Sequence, residues 1–482
     1  MSTSKKVFDS PHCPTGQSSL ELKALERLNS TQLEKIKDAG IWRDRNHYFL
    51  NISYPSMQAM SEIDPQAVMA HKSNRPRKDI ALYIHVPFCA AECYYCHYYK
   101  KFAQSSMAVD TYLQGVVREL AMYEKELGRL LVNSIYIGGG TPSYLSAEQI
   151  DSLLAQIEQH ITLVSGAEVS FEVHPESGTL RKLETLLQHG VNRLNIGVES
   201  FDDRTLRSEN RRHTGKDAID LFTRASALGF ENINLDLIYG LRGQSVQSWE
   251  NNLEVVSKLR PSSATMYFLR LKRGTPEYKL WKSKPETFPT DSELLLMHAM
   301  NFEKMEEELG YIQNPVDWFI RDPKYFHDYQ DHNWRKSDEV ELLGIGASSY
   351  SYLNGWQFYN ANDTERYLRS VSMGQFPIWK GEYLESEERM RRTLMLGLKM
   401  GIERQSFREL YGLDVLELCA SNWEKLFDLG LVEINSEAVT LTYAGRLFAD
   451  EVGQQFYSDK MKRRMECVDP ELVSTTWPQF NP

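Results

Sequence analysis

The sequence predicts an α/β fold built on a partial (β/α)6 barrel, and three observations predict it. Short apolar runs alternate with amphipathic stretches between Ile80 and Leu271, the order of βα units in a parallel sheet. Six such repeats fit into about 190 residues, short of the ~250 of a closed eight-stranded barrel. Each polar or glycine-rich motif falls at or near the C-terminal end of a strand, where such sheets carry their chemistry.

Taken in order, residues 1–78 read as an N-terminal extension, mixed and polar, with one helical stretch near Leu20–Ala39. The barrel, residues 79–289, has strands at Ile80–Val86, Ser134–Ile137, Glu168–Val173, Arg193–Val198, Asn232–Ile238 and Thr265–Leu271. Helices are expected near 108–132, 146–163, 178–189, 214–228 and 245–259. Residues 290–383 read as an aromatic-rich connecting region lining the site. Residues 384–459 read as a C-terminal winged-helix-like module: helices at Glu385–Met400, Gln405–Tyr411 and Val415–Leu429, then a hairpin over Leu431–Thr442. Residues 460–482 read as a surface tail with a basic cluster, Lys460, Lys462, Arg463 and Arg464.

Composition narrows the function classes. The chain has 482 residues, 41% hydrophobic and 25% charged, which excludes a disordered or fibrous protein. A net charge of −11 makes a poor binder of phosphate backbones. The stretch Val415–Leu429 carries Glu417, Glu424 and Asp428 against one Lys425, so the module reads as a packing lid and no nucleic-acid partner is expected. The first residues lack the apolar core of a secretory signal, and no run reaches the ~18 apolar residues of a membrane span. The expectation is a cytoplasmic protein, with a peripheral contact at the inner face of the membrane left open.

Six cysteines are too sparse for a disulfide scaffold, and three of them cluster: Cys89, Cys93 and Cys96, in the loop after the first strand. Close soft thiolates suit zinc or an iron–sulfur cluster. A structural zinc site wants four protein ligands, and His97, the one nearby, would have to fold back. Three thiolates on a [4Fe–4S] cluster leave one iron open. Cys13, Cys419 and Cys467 read as ordinary thiols.

Further motifs follow, most of them at strand ends. Gly138–Gly139–Gly140–Thr141–Pro142 lets backbone approach a ligand closely. Glu172 and Glu199 close the third and fourth strands. Arg211 can grip a carboxylate with two N–H groups. Asp236 lies in an apolar strand, where an unpaired charge is expensive, so a partner is expected.

Cys-x3-Cys-x2-Cys followed by these motifs resembles the radical S-adenosylmethionine (SAM) superfamily, and within it the oxygen-independent coproporphyrinogen III dehydrogenase-like branch. The resemblance runs from about Leu82 to Gln455. It implies a [4Fe–4S] cluster on Cys89, Cys93 and Cys96, and an electron donor such as flavodoxin or ferredoxin. It also implies a first SAM at Tyr83, Gly139, Gly140, Thr141, Glu172, Glu199, Arg211 and Asp236. A second SAM would lie near Phe88, Cys96, Gly140 and Arg270, where Arg270 replaces the small residue of the family.

Two departures steer the expected function. Tyr98 stands where the porphyrinogen enzyme has a further cysteine, and Glu199 stands where Gln is usual. The expectation is therefore a radical SAM C-methyltransferase that uses two SAM molecules on an sp2 carbon of a planar quinone or tetrapyrrole, with C8 of menaquinone as the specific guess. The alternatives are the porphyrinogen oxidation of haem synthesis and a haem chaperone. His97 and Tyr98 are the candidate acid or base. Tyr94, Tyr95, His97, Tyr98 and Tyr99, and a second group, Trp318, Phe319, Tyr325 and Phe326, are the expected aromatic walls.

Overall fold

The computed structural model describes residues 17–43, 53–70, 79–103, 105–336 and 338–468. Cys13 lies outside them, and the side chain of Cys467 is not described. The six expected strands are β1 (Ile80–Val86), β2 (Leu130–Gly139), β3 (Ile161–Val173), β4 (Arg193–Glu199), β5 (Asn232–Tyr239) and β6 (Ser263–Phe268). They lie in sequence order and pair in parallel throughout. Helices α1 (Ser106–Leu127), α2 (Ala147–His160), α3 (Leu180–Gln188), α4 (Gly215–Leu228) and α5 (Val246–Leu259) connect them.

The helix starts are chemical. Ser105, Ser146, Thr214 and Ser245 each accept a hydrogen bond from a backbone N–H of the first turn, satisfying a donor the helix leaves unpaired. Gly128, with φ +74°, stops α1 five residues earlier than the sequence suggests. The freed Leu130–Val132 extends β2 and pairs with Ile161–Leu163.

Alternation along the strands sorts two environments. Ile233, Leu235 and Leu237 of β5 are buried in the main core. The intervening Asn234 and Asp236 face the other way, in register with Asn195 and Gly197 of β4 and with Ser263 and Thr265 of β6. The inner face of the barrel is thus lined with polar groups.

The sheet is open and longer than expected. A seventh parallel strand, β7 (Glu341–Ile345), pairs with β1, and antiparallel strands continue from it through Tyr350–Leu353, Trp356–Asn360 and Ile378–Tyr383. At the other edge, Trp318–Ile320 adds antiparallel to β6. The stretch 290–383 therefore contributes strands to the same sheet as the barrel. Tyr112 of α1 ties the old and new strands together: its hydroxyl donates to the His85 carbonyl and accepts from Ala347 N–H, both at 2.9 Å.

The N-terminal helical stretch is two helices, Ser19–Ser30 and Leu33–Asp38, broken at Thr31. In the C-terminal module a three-stranded sheet, Ile402–Glu403, Val432–Ile434 and Ala438–Leu441, packs with helices Arg404–Tyr411 and Ala420–Asp428. The latter begins after Cys419, whose φ of +62° interrupts the longer helix read from sequence. Residues 460–464 do not form a free tail. They lie in helix Asp459–Val468, with Met461 buried and both Lys460 and Arg464 paired with Glu382. Among the described residues no helix is long and apolar enough to cross a membrane.

Candidate active site

One cavity of about 560 Å³ opens at the C-terminal ends of the barrel strands, and the three cysteines, the eight first-SAM candidates and the acid–base candidates His97 and Tyr98 all line it. The volume falls within the ~300–1,000 Å³ of small-molecule sites.

The cysteine loop leaves β1 and is tied down on several sides. Lys101 N–H bonds the Pro87 carbonyl at 2.7 Å, and Cys89 N–H bonds the Lys101 carbonyl at 3.2 Å. His85 reaches the Tyr99 carbonyl through Nε2 at 3.3 Å while its Nδ1 meets the Tyr83 hydroxyl at 2.9 Å. At the far side, Tyr94 N–H bonds the Glu209 carbonyl and its own carbonyl accepts from Glu277 N–H. Thr141 Oγ1 donates to Cys89 Sγ at 3.5 Å, and Arg211 Nη1 donates to Cys93 Sγ at 3.7 Å. Burial pushes the Cys96 thiol up to about 11, with Lys100 pulling it back. Bound iron would hold the thiolate form against that cost.

Among the described residues no three His, Cys, Asp or Glu side chains converge as one metal ion requires. A [4Fe–4S] cluster asks something else, one thiolate per iron, and three thiols along a cavity wall, two of them already receiving hydrogen bonds, fit it.

The glycine run packs directly beneath this loop. A Cβ on Gly140 would sit 2.6 Å from the Pro87 carbonyl carbon, and one on Gly139 (φ +118°) would sit 2.7 Å from the His85 ring. Gly139 N–H also donates to Glu172 Oε2 at 3.1 Å, and Tyr136 donates to Oε1 at 2.7 Å. Burial raises the Glu172 carboxyl to about 7, these donors lower it, and Glu199 raises it further.

Glu199 reaches the cavity through a backbone device. The β4–β5 register slips between Gly197 and Glu199, and Glu199 takes φ +63°, a region costly for a residue with a Cβ. That turn puts its Oε1 3.5 Å from Arg211 Nη2. Arg211 also donates to the Gly197 carbonyl. Asp236 has the partner expected of it: Asn234 Nδ2 donates at 2.8 Å. Burial, then Glu199 and Glu172, push the Asp236 carboxyl up to about 7. Three carboxyl groups and one guanidinium therefore share one low-dielectric wall, a setting that favours a cationic ligand.

Two expectations need correction. Phe88 is buried, packed against Tyr112 and Tyr144, and forms no part of the cavity wall, so the second-SAM pocket loses one of its four residues. Of the second aromatic group only Trp318 lines the cavity. Phe319 is fully buried, and Tyr325 packs under Arg321. The walls come instead from Tyr83, Tyr136, Tyr329 and Tyr350. Tyr136 stacks on Tyr329 with ring centroids 5.0 Å apart, and Tyr83 lies 5.7 Å from Tyr350. These tyrosines come from four distant segments, and only Tyr83 and Tyr136 carry a local signal, as inward positions of β1 and β2.

His97 stacks on Tyr98, which is half exposed, at 4.6 Å. Burial, with Lys272, Arg270 and Lys100 nearby, lowers His97 to about 3. The imidazole is therefore neutral near pH 7 and a weaker base than the sequence suggests.

The radical SAM superfamily profile matches residues 83–256, and that of the HemN C-terminal domain matches residues 384–448. The haem chaperone HemW of Bacillus subtilis is 31% identical over 380 residues, 78% of this chain and 99% of that protein. The chain belongs to the radical SAM superfamily. The oxygen-independent coproporphyrinogen III oxidase of Pseudomonas aeruginosa is 27% identical, over 84% of this chain and 92% of that one. The crystal structure of the Escherichia coli coproporphyrinogen III oxidase HemN superposes with a TM-score of 0.76 at 25% identity, covering 89% of this radical SAM chain and 98% of HemN. Both named functions concern tetrapyrroles. They favour the porphyrinogen and haem alternatives over the quinone methyltransferase expected from sequence.

Proposed function

We propose that this radical SAM protein acts on a tetrapyrrole, with a [4Fe–4S] cluster on Cys89, Cys93 and Cys96 and one SAM beside it. The observation that carries the reading is the match, over 78–89% of this chain and more than nine-tenths of each relative, to two kinds of tetrapyrrole protein, a haem chaperone and a coproporphyrinogen oxidase. A cluster held there would pass one electron from a donor such as flavodoxin or ferredoxin to SAM, cleaving its C–S bond to methionine and a 5′-deoxyadenosyl radical.

The chain's own residues do the rest. Glu172, Glu199 and Asp236 bring negative charge to one wall and suit the sulfonium and ammonium of SAM. Arg211 holds Glu199 and Cys93 together, coupling the SAM wall to the cluster loop. Gly139 and Gly140, with no Cβ, let SAM lie against backbone. The tyrosine wall of Tyr83, Tyr136, Tyr329 and Tyr350 offers flat faces to a macrocycle and shields a radical from water.

Methyl transfer from a second SAM is the second reading, favoured by Tyr98 and Glu199 standing where the porphyrinogen enzyme has Cys and Gln. Menaquinone falls behind a tetrapyrrole as the acceptor.

The test is anaerobic turnover with SAM and a reductant, offering haem, coproporphyrinogen III or menaquinone in parallel. Tetrapyrrole-dependent release of 5′-deoxyadenosine is expected. The product mass then separates loss of carbon dioxide from gain of a methyl group. A response to menaquinone with none to either tetrapyrrole would overturn the proposal.

A further inference from the structure

Two acidic side chains enter the cavity from left-handed backbone. One is Glu199, beside Arg211. The other is Asp317, with φ +71°, beyond the edge of β6. Few residues with a Cβ adopt this conformation, and Asp is among those that do so most readily. Asp317 is held in it from two sides. Trp318 N–H bonds the Pro315 carbonyl at 2.9 Å and closes a tight turn, and Met266 N–H of β6 bonds the carbonyl of Asp317 itself at 2.9 Å. The next residue, Trp318, enters the edge strand opposite Thr265. The turn thus delivers a carboxylate to the cavity just before the strand begins.

Sheet pairing fixes where that carboxylate stands. Glu199, Leu237 and Met266 are neighbours across β4, β5 and β6, and Met266 is the residue that bonds Asp317. The two acids therefore lie at one height, with three strand spacings of ~4.8 Å, about 14 Å of sheet, between them. The Asp317 side chain has one protein partner. His298 Nε2 meets its Oδ1 at 2.9 Å, and among the described residues no other side chain pairs with it. His298 is 1% exposed, and its Nδ1 is buried with no hydrogen-bond partner. Burial lowers the His298 pKa, so near pH 7 the ring is neutral and donates its Nε2 proton to Asp317. A neutral donor orients the carboxylate without cancelling its charge. The cations that line this end of the cavity have other partners: Lys399 pairs with Asp450, Arg446 with Glu306 and Arg43 with Glu451. The side chain of Asp317 is 21% exposed and lines the cavity, which leaves Oδ2 to a ligand.

Flat apolar faces surround this acceptor. Trp318 meets Tyr267 edge to face at 5.4 Å and Trp334 at 5.8 Å, and all three rings line the cavity. An acceptor within aromatic walls suits a planar or puckered ring that carries its own N–H donors. We propose that Asp317 anchors the tetrapyrrole by accepting hydrogen bonds from its pyrrole N–H groups. The inference rests on the tetrapyrrole reading and narrows it to a ring without a central metal, because a metallated ring has no N–H to give. SAM is a second source of N–H donors through its ammonium. Glu172, Glu199 and Asp236 already meet that charge on the other side of the cavity, so Asp317 is left to the substrate.

The experiment uses the full chain with its cluster reconstituted, under anaerobic conditions. Coproporphyrinogen III, which carries pyrrole N–H groups, is compared with zinc coproporphyrin III, which has the same side chains and no N–H. Bound ligand is measured by ultrafiltration and SAM binding by equilibrium dialysis. The wild-type protein is expected to bind the porphyrinogen at least about tenfold tighter than the zinc chelate, the worth of one charge-assisted hydrogen bond. Asp317→Ala should remove that preference and leave zinc-chelate binding, SAM affinity and cluster absorbance unchanged. Asp317→Asn tolerates the same backbone and keeps one acceptor oxygen, so its preference should fall below that of the wild type without disappearing. The inference is overturned if Asp317→Ala weakens both ligands alike, if it weakens SAM instead, or if Asp317→Asn keeps the full preference. Wild-type protein that binds neither ligand overturns the tetrapyrrole reading, and the anchor with it. A zinc chelate that binds as tightly as the porphyrinogen overturns the anchor alone.

Discussion

Replacing Arg211 with Met should destabilise the protein in a way that depends on pH and is repaired by a second change. Arg211 and Glu199 are both buried, with side chains 7% and 13% exposed, and their charged atoms lie 3.5 Å apart. At an effective dielectric of ~20 that distance corresponds to about 5 kcal/mol of attraction. Part of it offsets the desolvation of both groups. Removing one partner of such a pair costs about 3–5 kcal/mol, because the other charge stays buried.

Without Arg211, Glu199 faces Asp236 and Glu172 with no cation beside it. Its carboxyl is already raised by burial even with Arg211 present. It must rise further in the variant. A carboxyl whose folded pKa exceeds its unfolded value holds a proton that the unfolded chain has released, so stability falls as pH rises through that window. Urea unfolding of Arg211→Met should therefore show a loss of about 3 kcal/mol at pH 7.5 and a clearly smaller one at pH 5.5. Arg211→Met/Glu199→Gln should recover most of it at both values. A loss that is the same at both pH values, or that the second substitution does not repair, would refute the electrostatic account. The single variant should also weaken the cluster signal, since Arg211 touches Cys93 as well as Glu199.

Cys89→Ala, Cys93→Ala and Cys96→Ala should each abolish [4Fe–4S] absorbance after anaerobic reconstitution, whereas Cys419→Ser should keep it; a retained cluster in any of the first three would contradict the ligand assignment. SAM affinity should rise between pH 6 and pH 8, because Glu172 and Asp236 both ionise near 7 and the ligand is cationic. In Glu172→Gln that slope should flatten, and calorimetry at three pH values would decide it. Gly140→Ala places a methyl group 2.6 Å from the Pro87 carbonyl carbon, a backbone atom that cannot swing aside. It should cost about 1–3 kcal/mol through overpacking and lower cluster occupancy, read by iron content per chain.

The barrel was legible because its signals are local. Each strand of the inner sheet is a short apolar run with its own helix behind it, and the motifs mark the strand ends. Cys89, Glu172, Glu199 and Asp236 could be placed at one end of one sheet by counting βα units alone. What escaped was everything set by long-range pairing. Strand β7 reads Glu-Leu-Leu-Gly-Ile, an ordinary apolar stretch inside an aromatic-rich region, and only its register with Ile80–Ile84 makes it part of the barrel. The tyrosine wall was missed for the same reason, since Tyr329 and Tyr350 have no neighbours in sequence that point to Tyr83 and Tyr136. The lowered pKa of His97 was not legible, because it comes first from burial and then from Lys272 and Arg270, both set by the fold and far along the chain.

The placement of β7 beside β1 has a consequence for how the protein is made. The strand that launches the cysteine loop is the first of the barrel to leave the ribosome, yet one of its two edges stays open until Glu341–Ile345 follows, about 260 residues later. At roughly 5–20 residues per second the wait is about 13–50 s. Throughout it, Tyr112 has no Ala347 N–H to accept and the turn at Gly346 that packs against His85 does not exist. Delivery of iron and sulfide is therefore expected to be a late event, after the nascent chain has grown well past its own ligands.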